Sequence, residues 1–384
     1  MVSDVVWQKI LNKRPFLKPL TEAWTDYVAG KIDAKQLKSV SAGFGIYQQR
    51  DGKTMLRLRC TGGFNDDCQL LRAARILQAV GGEYIHLTTR QDIQMHGVPA
   101  DQVVNAIKEC ENIGFHFRGG GGDTFRNIFV STYSGLHEDS AFDVRPYARS
   151  LADSMQWFDP AFGLPRKLKI GFADGPSEAY VAQTNDLGFL AKIVDGKQVF
   201  ETYIGGGIGI KPQIGFKIFD ALPVEDCTRV AMALANLFNE HGNRENRAHA
   251  RIRFLREDLG DEGLTKMLHE YMEKLPANTP KCEKAEFEDR YYVVISENET
   301  PHEGFEEWKK IACTPLTRGR VGVRIFIPFG NIKGEQLESF SCRMPSKLDI
   351  LPTQDLGLVV FYTKLEGLYN MLVRHTPSTT SPWA

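Results

Sequence analysis

The residues whose types and spacing could do chemistry are cations. Lysine and arginine gather at five places: Arg57/Arg59, Arg90, Arg126, Lys167/Lys169 and Arg244/Arg247/Arg251/Arg253. Along Met55–Cys60, Leu56, Leu58 and Cys60 alternate with Arg57 and Arg59, the period of a strand with one apolar face. Leu168 and Ile170 alternate with Lys167 and Lys169 in the same way. An apolar face fixes a strand to a core, so the other face presents its cations in a defined direction. Any one such pair is what a solvated strand face commonly shows. Across the set acidic residues are nearly absent, Asp92 being the exception, and that favours a surface built to neutralise an anion. Two glycine-rich pieces, RGGGGDTFRN (118–127) and IGGGIGIK (204–211), let backbone N–H groups approach an anion closely. Neither is a phosphate loop or a dinucleotide fingerprint, and such loops serve more often as turns than as cradles.

Defined elements must position these cations. Residues 1–40 read as an amphipathic helical arm, with Trp7, Ile10, Leu11, Leu17, Leu20 and Trp24 at roughly helical spacing. From Gly43 to Gly114 runs a compact unit. The strand at Met55–Cys60 is followed by a helix over QLLRAARILQAV, which stops at Gly81–Gly82. YIHLTTRQDIQMHGV (84–98) reads as the next strand, with Ile85, Leu87, Ile93 and Met95 on one face and His86, Thr88, Arg90, Gln94 and His96 on the other. A second helix buries Val103, Ile107 and Cys110. This strand–helix–strand–helix order is half of a ferredoxin-like sandwich.

A weaker echo lies near the C-terminus. RIFIPFGNIKGEQLESF resembles the first strand, turn and helix, LDILPTQDLGLVVF the second strand, and Leu365–Val373 the closing helix. Matching Gln91–Asp92–Ile93 to Gln354–Asp355–Leu356 puts Pro352 and Thr353 at the places of Thr89 and Arg90. Between the halves, RNIFVST, LPRKLKIGFA, EAYVAQTND and KQVFETYIGGGIGIK read as short strands and loops. Val224–Glu240 reads as a helix, and Pro276–Lys284 as a linker. The expected fold is α+β: a helical arm (1–42), a ferredoxin-like half-domain (43–118), a mixed α/β middle domain (119–280) and a second half-domain (281–384) pairing with the first.

Composition sets outer bounds. A chain of 384 residues exceeds a typical single domain, and 42% hydrophobic with 25% charged residues is ordinary for a soluble protein. The 47 basic and 48 acidic residues nearly cancel, which argues against a nucleic-acid or membrane-surface binder. The start, MVSDVVWQKILNKR, lacks the apolar core of a signal peptide, and seven irregularly spaced cysteines suit reduced thiols in a cytoplasm.

RLRCTGG, HLTTRQDIQMHG, DTFRN, LPRKLK, GGGIGI and HGNRENR occur in order. In this the chain resembles the sirohaem-containing sulfite and nitrite reductases, closely over about 40–255 and loosely over about 285–375. The resemblance implies two ferredoxin-like halves, with sirohaem between larger pseudo-repeats. It also implies cytoplasmic six-electron reduction of sulfite or nitrite, with electrons from a donor protein. Arg59, Arg90, Lys211, Arg244 and Arg247, with Asn243 and the loop Gly205, Gly206 and Gly207, would anchor the polycarboxylate macrocycle. His86 stands where the family often has Arg. Arg57, Arg126, Lys167 and Lys169 would hold the oxyanion, the lysines relaying protons as oxygen leaves as water. These cations are expected to converge on one hollow.

The family also binds a four-iron cluster through a C-x5-C and C-x3-C pair. Cys60, Cys68, Cys110, Cys227, Cys282, Cys313 and Cys342 offer neither spacing. The chain is therefore expected to be a truncated reductase, or one subunit of a split enzyme with its cluster on a partner chain or a missing C-terminal half. A family offshoot that binds a tetrapyrrole or oxyanion without reducing it is the alternative. RNA binding ranks last, because no stacking aromatics interleave the basic strands.

Overall fold

In the computed structural model the described residues are 2–63, 67–284, 303–337, 350–352 and 357–362. The chain divides into two units, one formed by 1–117 with 288–384 and the other by 118–287.

The first unit opens with three helices, α1 (Asp4–Lys13), α2 (Leu17–Val28) and α3 (Ala34–Ser41). Ser3 caps α1, and Asp33 with Gln36 forms a capping box on α3, which fixes where these short helices begin. Their apolar residues Trp7, Leu17, Leu20, Trp24 and Leu37 join the core of the unit. There follow β1 (Ile46–Gln48), β2 (Thr54–Leu58), α4 (Asp67–Ala79), β3 (Tyr84–Leu87), β4 (Ile93–Val98) and α5 (Val103–Asn112). The segment 84–98 is thus a hairpin and not one strand. Gln91, at φ 60°, turns the chain back between Leu87 and Ile93, which pair directly. The face assignment survives the turn. Leu56, Met95 and Ile85 form a cross-strand row, each fully buried, and Arg57, Gln94 and His86 form the next row on the opposite face.

The second unit carries β5 (Phe129–Val130), α6 (Arg145–Gln156), β6 (Ile170–Ala173), α7 (Ala179–Gln183), β7 (Leu187–Val194), β8 (Lys197–Ile204), β9 (Phe216–Pro223), α8 (Cys227–His241) and α9 (Ile252–Lys274). Its sheet runs β5-β6-β7-β8-β9, parallel across the first three strands and antiparallel across the last three. Asp195 and Gly196, both at positive φ, make the two-residue turn between β7 and β8. Phe172, Phe189 and Phe200 meet at the centre, and α8 lays Val230, Leu234 and Phe238 in the same core. EAYVAQTND, read among the short strands and loops, is a 3₁₀ turn leading into α7, and it buries Val181 and Ala182. The stretch read as a linker is docked in part: Cys282 is buried, and its N–H donates to the Glu225 carbonyl at 2.8 Å.

Gly188 of β7 is where α7 approaches the sheet most closely, and a methyl there would overlap the Ala182 carbonyl and Cα. Gly188→Ala should therefore cost several kcal/mol, because backbone must move to admit it. A denaturant melt checks this, and a loss under about 1 kcal/mol would contradict it.

Back in the first unit are α10 (Phe305–Ala312), β10 (Cys313–Pro315), β11 (Val321–Phe326), β12 (Asn331–Lys333), β13 (Ile350–Pro352) and β14 (Gly357–Tyr362). The order β10-β11-β14-β13 repeats β1-β2-β4-β3, so the echo in the sequence is a structural repeat. Its register is two residues off the one read from sequence. Ile325 pairs with Leu358 as Leu58 pairs with Ile93, so Leu358 holds the place of Ile93 and Pro352 that of Leu87. The Gln354–Asp355–Leu356 match, Thr353 and the expected helix Leu365–Val373 lie outside the described residues. The second half adds β12 to the first sheet beside β3, extending the core row to Ile332 and the polar row to Asn331.

Candidate functional site

In the first unit the polar row is a continuous chain of side chains. Gln94 lies between Arg57 and His96. Its amide oxygen accepts from Arg57 Nε (2.9 Å) and Nη2 (2.6 Å), and its amide nitrogen donates to His96 Nε2 (2.9 Å). Burial, with His86 and Arg57 nearby, pushes the His96 ring down to about 4, so it is neutral at physiological pH and can accept that bond. His96 stacks on Tyr84 at 4.7 Å and meets His86 edge-on at 6.0 Å. His86 Nδ1 contacts Asn331 Oδ1 at 2.8 Å. Arg59, read as a face cation, is buried, and its N–H donates to the His116 carbonyl at 3.1 Å. Arg57, Arg59 and Arg90 come together around one buried carboxyl, that of Asp92.

In the second unit Arg126 and the two lysines sit just before adjacent parallel strands. The Arg126 N–H donates to the Leu168 carbonyl (2.8 Å), and buried Leu168 pins Lys167 and Lys169 to either side. The Arg126 guanidinium donates to the Gly122 carbonyl at 2.8 Å and to Gly120 at 3.4 Å, so the loop 118–127 turns carbonyls toward this cation. Burial lowers the Lys167 ammonium from its ordinary value. Arg126, Arg251 and Arg166 add to that, and Asp186 opposes it. Asp186 is fully buried and takes both Arg251 Nε (3.1 Å) and Nη2 (2.7 Å), as well as the Lys169 N–H (2.7 Å).

In the loop 204–211 two of the backbone N–H groups are engaged within the unit. The Gly205 N–H donates to the Asp186 carbonyl (3.0 Å), and the Gly207 N–H donates to the Gln213 carbonyl (2.8 Å). Glycine serves close approach here: a Cβ on Gly206 would strike the Gln183 and Asn185 carbonyls, and one on Gly207 would come 2.5 Å from Arg253 Nη1. Arg253 is 3% exposed, and its Nε and Nη1 have no hydrogen-bond partner. Ile208, Ile210 and Ile214 are exposed along this loop.

The other expected anchors are more open. Lys211 pairs with Glu257 (3.2 Å). Arg244 donates to Asn239 and to the Gly163 carbonyl, and Asn243 Oδ1 accepts from the Glu245 and Asn246 N–H groups. Arg247 forms a forked pair with Asp123, 2.7 and 2.9 Å. Gln94, on the polar face, and Arg253, in the basic stretch with Arg251, were given no site role from sequence, and Asp186 and Asn331 were not singled out.

Among the described residues no group of three or more His, Cys, Asp or Glu stands together as a metal site. No helix among them is long and apolar enough to cross a membrane.

Residues 121–275 match the family described as nitrite and sulphite reductase 4Fe-4S domain. Residues 47–113 match the nitrite/sulfite reductase ferredoxin-like half domain. Relatives include an assimilatory ferredoxin-dependent nitrite reductase of Haloferax mediterranei, 29% identical over 60% of this chain and 43% of that protein. A sulfite reductase [NADPH] hemoprotein beta-component of Bacillus velezensis is 27% identical over 62% of this chain and 52% of that protein. The chain spans about half the length of the curated relatives it matches. Among solved structures, NirA of Mycobacterium tuberculosis superposes with a TM-score of 0.69 at 19% identity, covering 90% of this chain and 63% of that one, a likeness of fold.

Proposed function

Because the chain belongs to the sirohaem-dependent nitrite and sulfite reductase family, we propose that it is the sirohaem- and oxyanion-binding part of such a reductase. The reaction would take nitrite to ammonia or sulfite to sulfide. The observation that supports this most is the environment of Lys167: Arg126, Arg166 and Arg251 crowd a half-buried ammonium, with Asp186 paired to Arg251 and Asp123 3.6 Å from Arg166, so the cations outnumber the carboxylates. A charge excess held at a folding cost points to an anionic ligand.

The residues fit a polycarboxylate cofactor. Arg253 offers two enclosed, partnerless donors beneath the Gly207 backbone, which is what a carboxylate would satisfy. In the second unit Arg253, Lys211, Arg244 and Arg247, with Asn243 and the loop Gly205–Gly207, would hold its carboxylates. Taken by itself, the first unit offers Arg59, Arg90 and His86 for an anionic group of that kind. When bound, sirohaem would supply an iron that takes the oxyanion and delivers electrons to it. Arg126, Lys167 and Lys169 of the second unit would neutralise a small oxyanion, and Arg57 is a candidate for the same role within the first unit. Lys167, with its lowered affinity for a proton, would give one up more readily than an ordinary lysine.

The residues do not fit an iron–sulfur cluster. The segment 121–275 holds one cysteine, Cys227, and it is buried in the core, whereas a four-iron cluster takes four thiolates. This favours electron entry through a cluster on another chain or segment, fed by a donor such as a ferredoxin. It also keeps a second reading open, that of a tetrapyrrole or oxyanion binder without turnover.

Titration of the purified chain with sirohaem, followed in the Soret band, tests the cofactor reading. Saturation at one sirohaem per chain is expected. Arg253→Met should weaken binding by about tenfold or more, the loss of a charge-assisted bond. No saturable spectral change would overturn the reading.

A further inference from the structure

The first unit holds a buried acid among its cations, and the proposed binding roles leave it unused. Asp92 is 4% exposed and ends the β3–β4 turn. Its N–H donates to Thr88 Oγ1 (3.0 Å), and its carbonyl accepts from the Thr88 N–H (2.9 Å), so the turn closes on itself and carries the side chain inward. The carboxyl accepts from the Cys60 N–H and faces the guanidinium groups of Arg57, Arg59 and Arg90, while Oδ1 is enclosed without a hydrogen-bond partner. Asp186 in the other unit is the contrast, because both its oxygens are engaged. A carboxyl with one idle enclosed oxygen has room for a proton there.

We propose that Asp92 is a proton-coupled counter-charge: it balances Arg57, Arg59 and Arg90 while no anion is bound, and takes up one proton when an anion binds to them. This rests on the anion-binding role given to those arginines above. The step is Asp92 carboxylate plus a solvent proton plus the anion, giving Asp92 carboxylic acid beside the bound anion. No bond to the anion forms and no electron moves, so Asp92 is a positioning residue. The cause is electrostatic. A bound anion cancels the field that keeps the carboxyl ionised and repels its charge, and by linkage protonation then strengthens anion binding by the same factor.

The sign follows from burial. Desolvation outweighs the three arginines and raises the carboxyl from its ordinary value to about 6. Below that pH the Asp92 carboxyl no longer competes with the anion for these cations. As pH rises through about 6, the carboxylate competes and affinity falls by up to about tenfold per pH unit. The histidines nearby are His96, His86 and His116. His96 is already neutral, and His86 contacts Asn331. His116, whose carbonyl meets the Arg59 N–H, is engaged by Arg14 and lies beside Glu111.

Calorimetric titration of the full chain with nitrite, whose charge is constant over about pH 5–8, reads the coupling directly when run in buffers of different ionisation enthalpy. The wild type should take up close to one proton per nitrite near neutral pH. Asp92→Asn should bind nitrite with no uptake and almost no pH dependence. Should that variant fail to fold, carbon NMR of the wild-type Asp92 carboxyl decides: nitrite should move its titration midpoint upward by about two units or more. Nitrite binding without proton uptake, equal uptake by the Asn variant, or an unmoved midpoint would overturn the proposal and leave the anion site standing. No nitrite binding by either protein would remove the anion site, and the proposal with it.

Discussion

Asp186→Ala should destabilise the second unit by about 3–5 kcal/mol, the cost of stranding a buried charge. Asp186 is fully buried and Arg251 nearly so, and their forked pair is joined by the Lys169 N–H and by the Gly205 N–H on the same residue's carbonyl. Removing the carboxylate leaves a guanidinium and an amide without partners, beside Lys167, whose charged form Asp186 favours. For a unit of this size the loss corresponds to a fall in melting temperature of roughly 6–20 °C. Circular-dichroism melts of the wild type, the single variants Asp186→Ala and Arg251→Ala, and the double variant check it. The double variant should recover part of the loss, because no charge is then left alone. A loss below about 1 kcal/mol for Asp186→Ala would show that water reaches the pair.

Lys167→Met should behave in the opposite way: the fold gains or holds, and anion binding fails. Burial and three neighbouring guanidinium groups lower the lysine's proton affinity, so the charged form is less favourable folded than unfolded. Stability from this group is lost as pH falls through its folded value, and at neutral pH the charge is a burden that Met removes. The same charge is what an oxyanion would meet. Nitrite affinity should drop by about 10- to 100-fold, the worth of a hydrogen bond to a charged group. Melting and nitrite titration of the same preparation measure both effects. A variant that melts earlier and binds nitrite as well as the wild type would contradict the role given to Lys167.

The rows that build the first sheet were readable because pleating enforces period two. Leu56, Ile85 and Met95 are buried and Arg57, His86 and Gln94 face away, as the alternation required. The hairpin was not readable for a related reason. Leu87 and Ile93 flank a five-residue turn, so the chain returns with its parity unchanged and the alternation runs through the bend unbroken. Residues 179–183 misled because α7 is a single short turn of helix, and Tyr180 and Val181 favour strands by type. The glycine loops were legible as close approaches but not as to what approaches. At Gly206 it is backbone carbonyl, and at Gly207 the Arg253 guanidinium.

The carboxylates were the least legible part of the site. Arg251 meets Asp186 across 65 positions of sequence, and Arg247 meets Asp123 across 124, separations at which spacing carries no signal. Asp92 was visible as an exception in a basic stretch. Its enclosure depends on the closure of its own turn and on the approach of Arg57 and Arg59 from β2 and the residues after it, which composition cannot convey.

The central claim is that this chain seats sirohaem and presents its cations to a small oxyanion. The most direct measurement is the absorption spectrum of the sirohaem-loaded chain during titration with nitrite and, separately, with sulfite. A Soret band that moves saturably with at least one of the two anions, and moves less in Lys167→Met, is the predicted result. A band that neither anion shifts, in a chain that holds its sirohaem, would contradict the account.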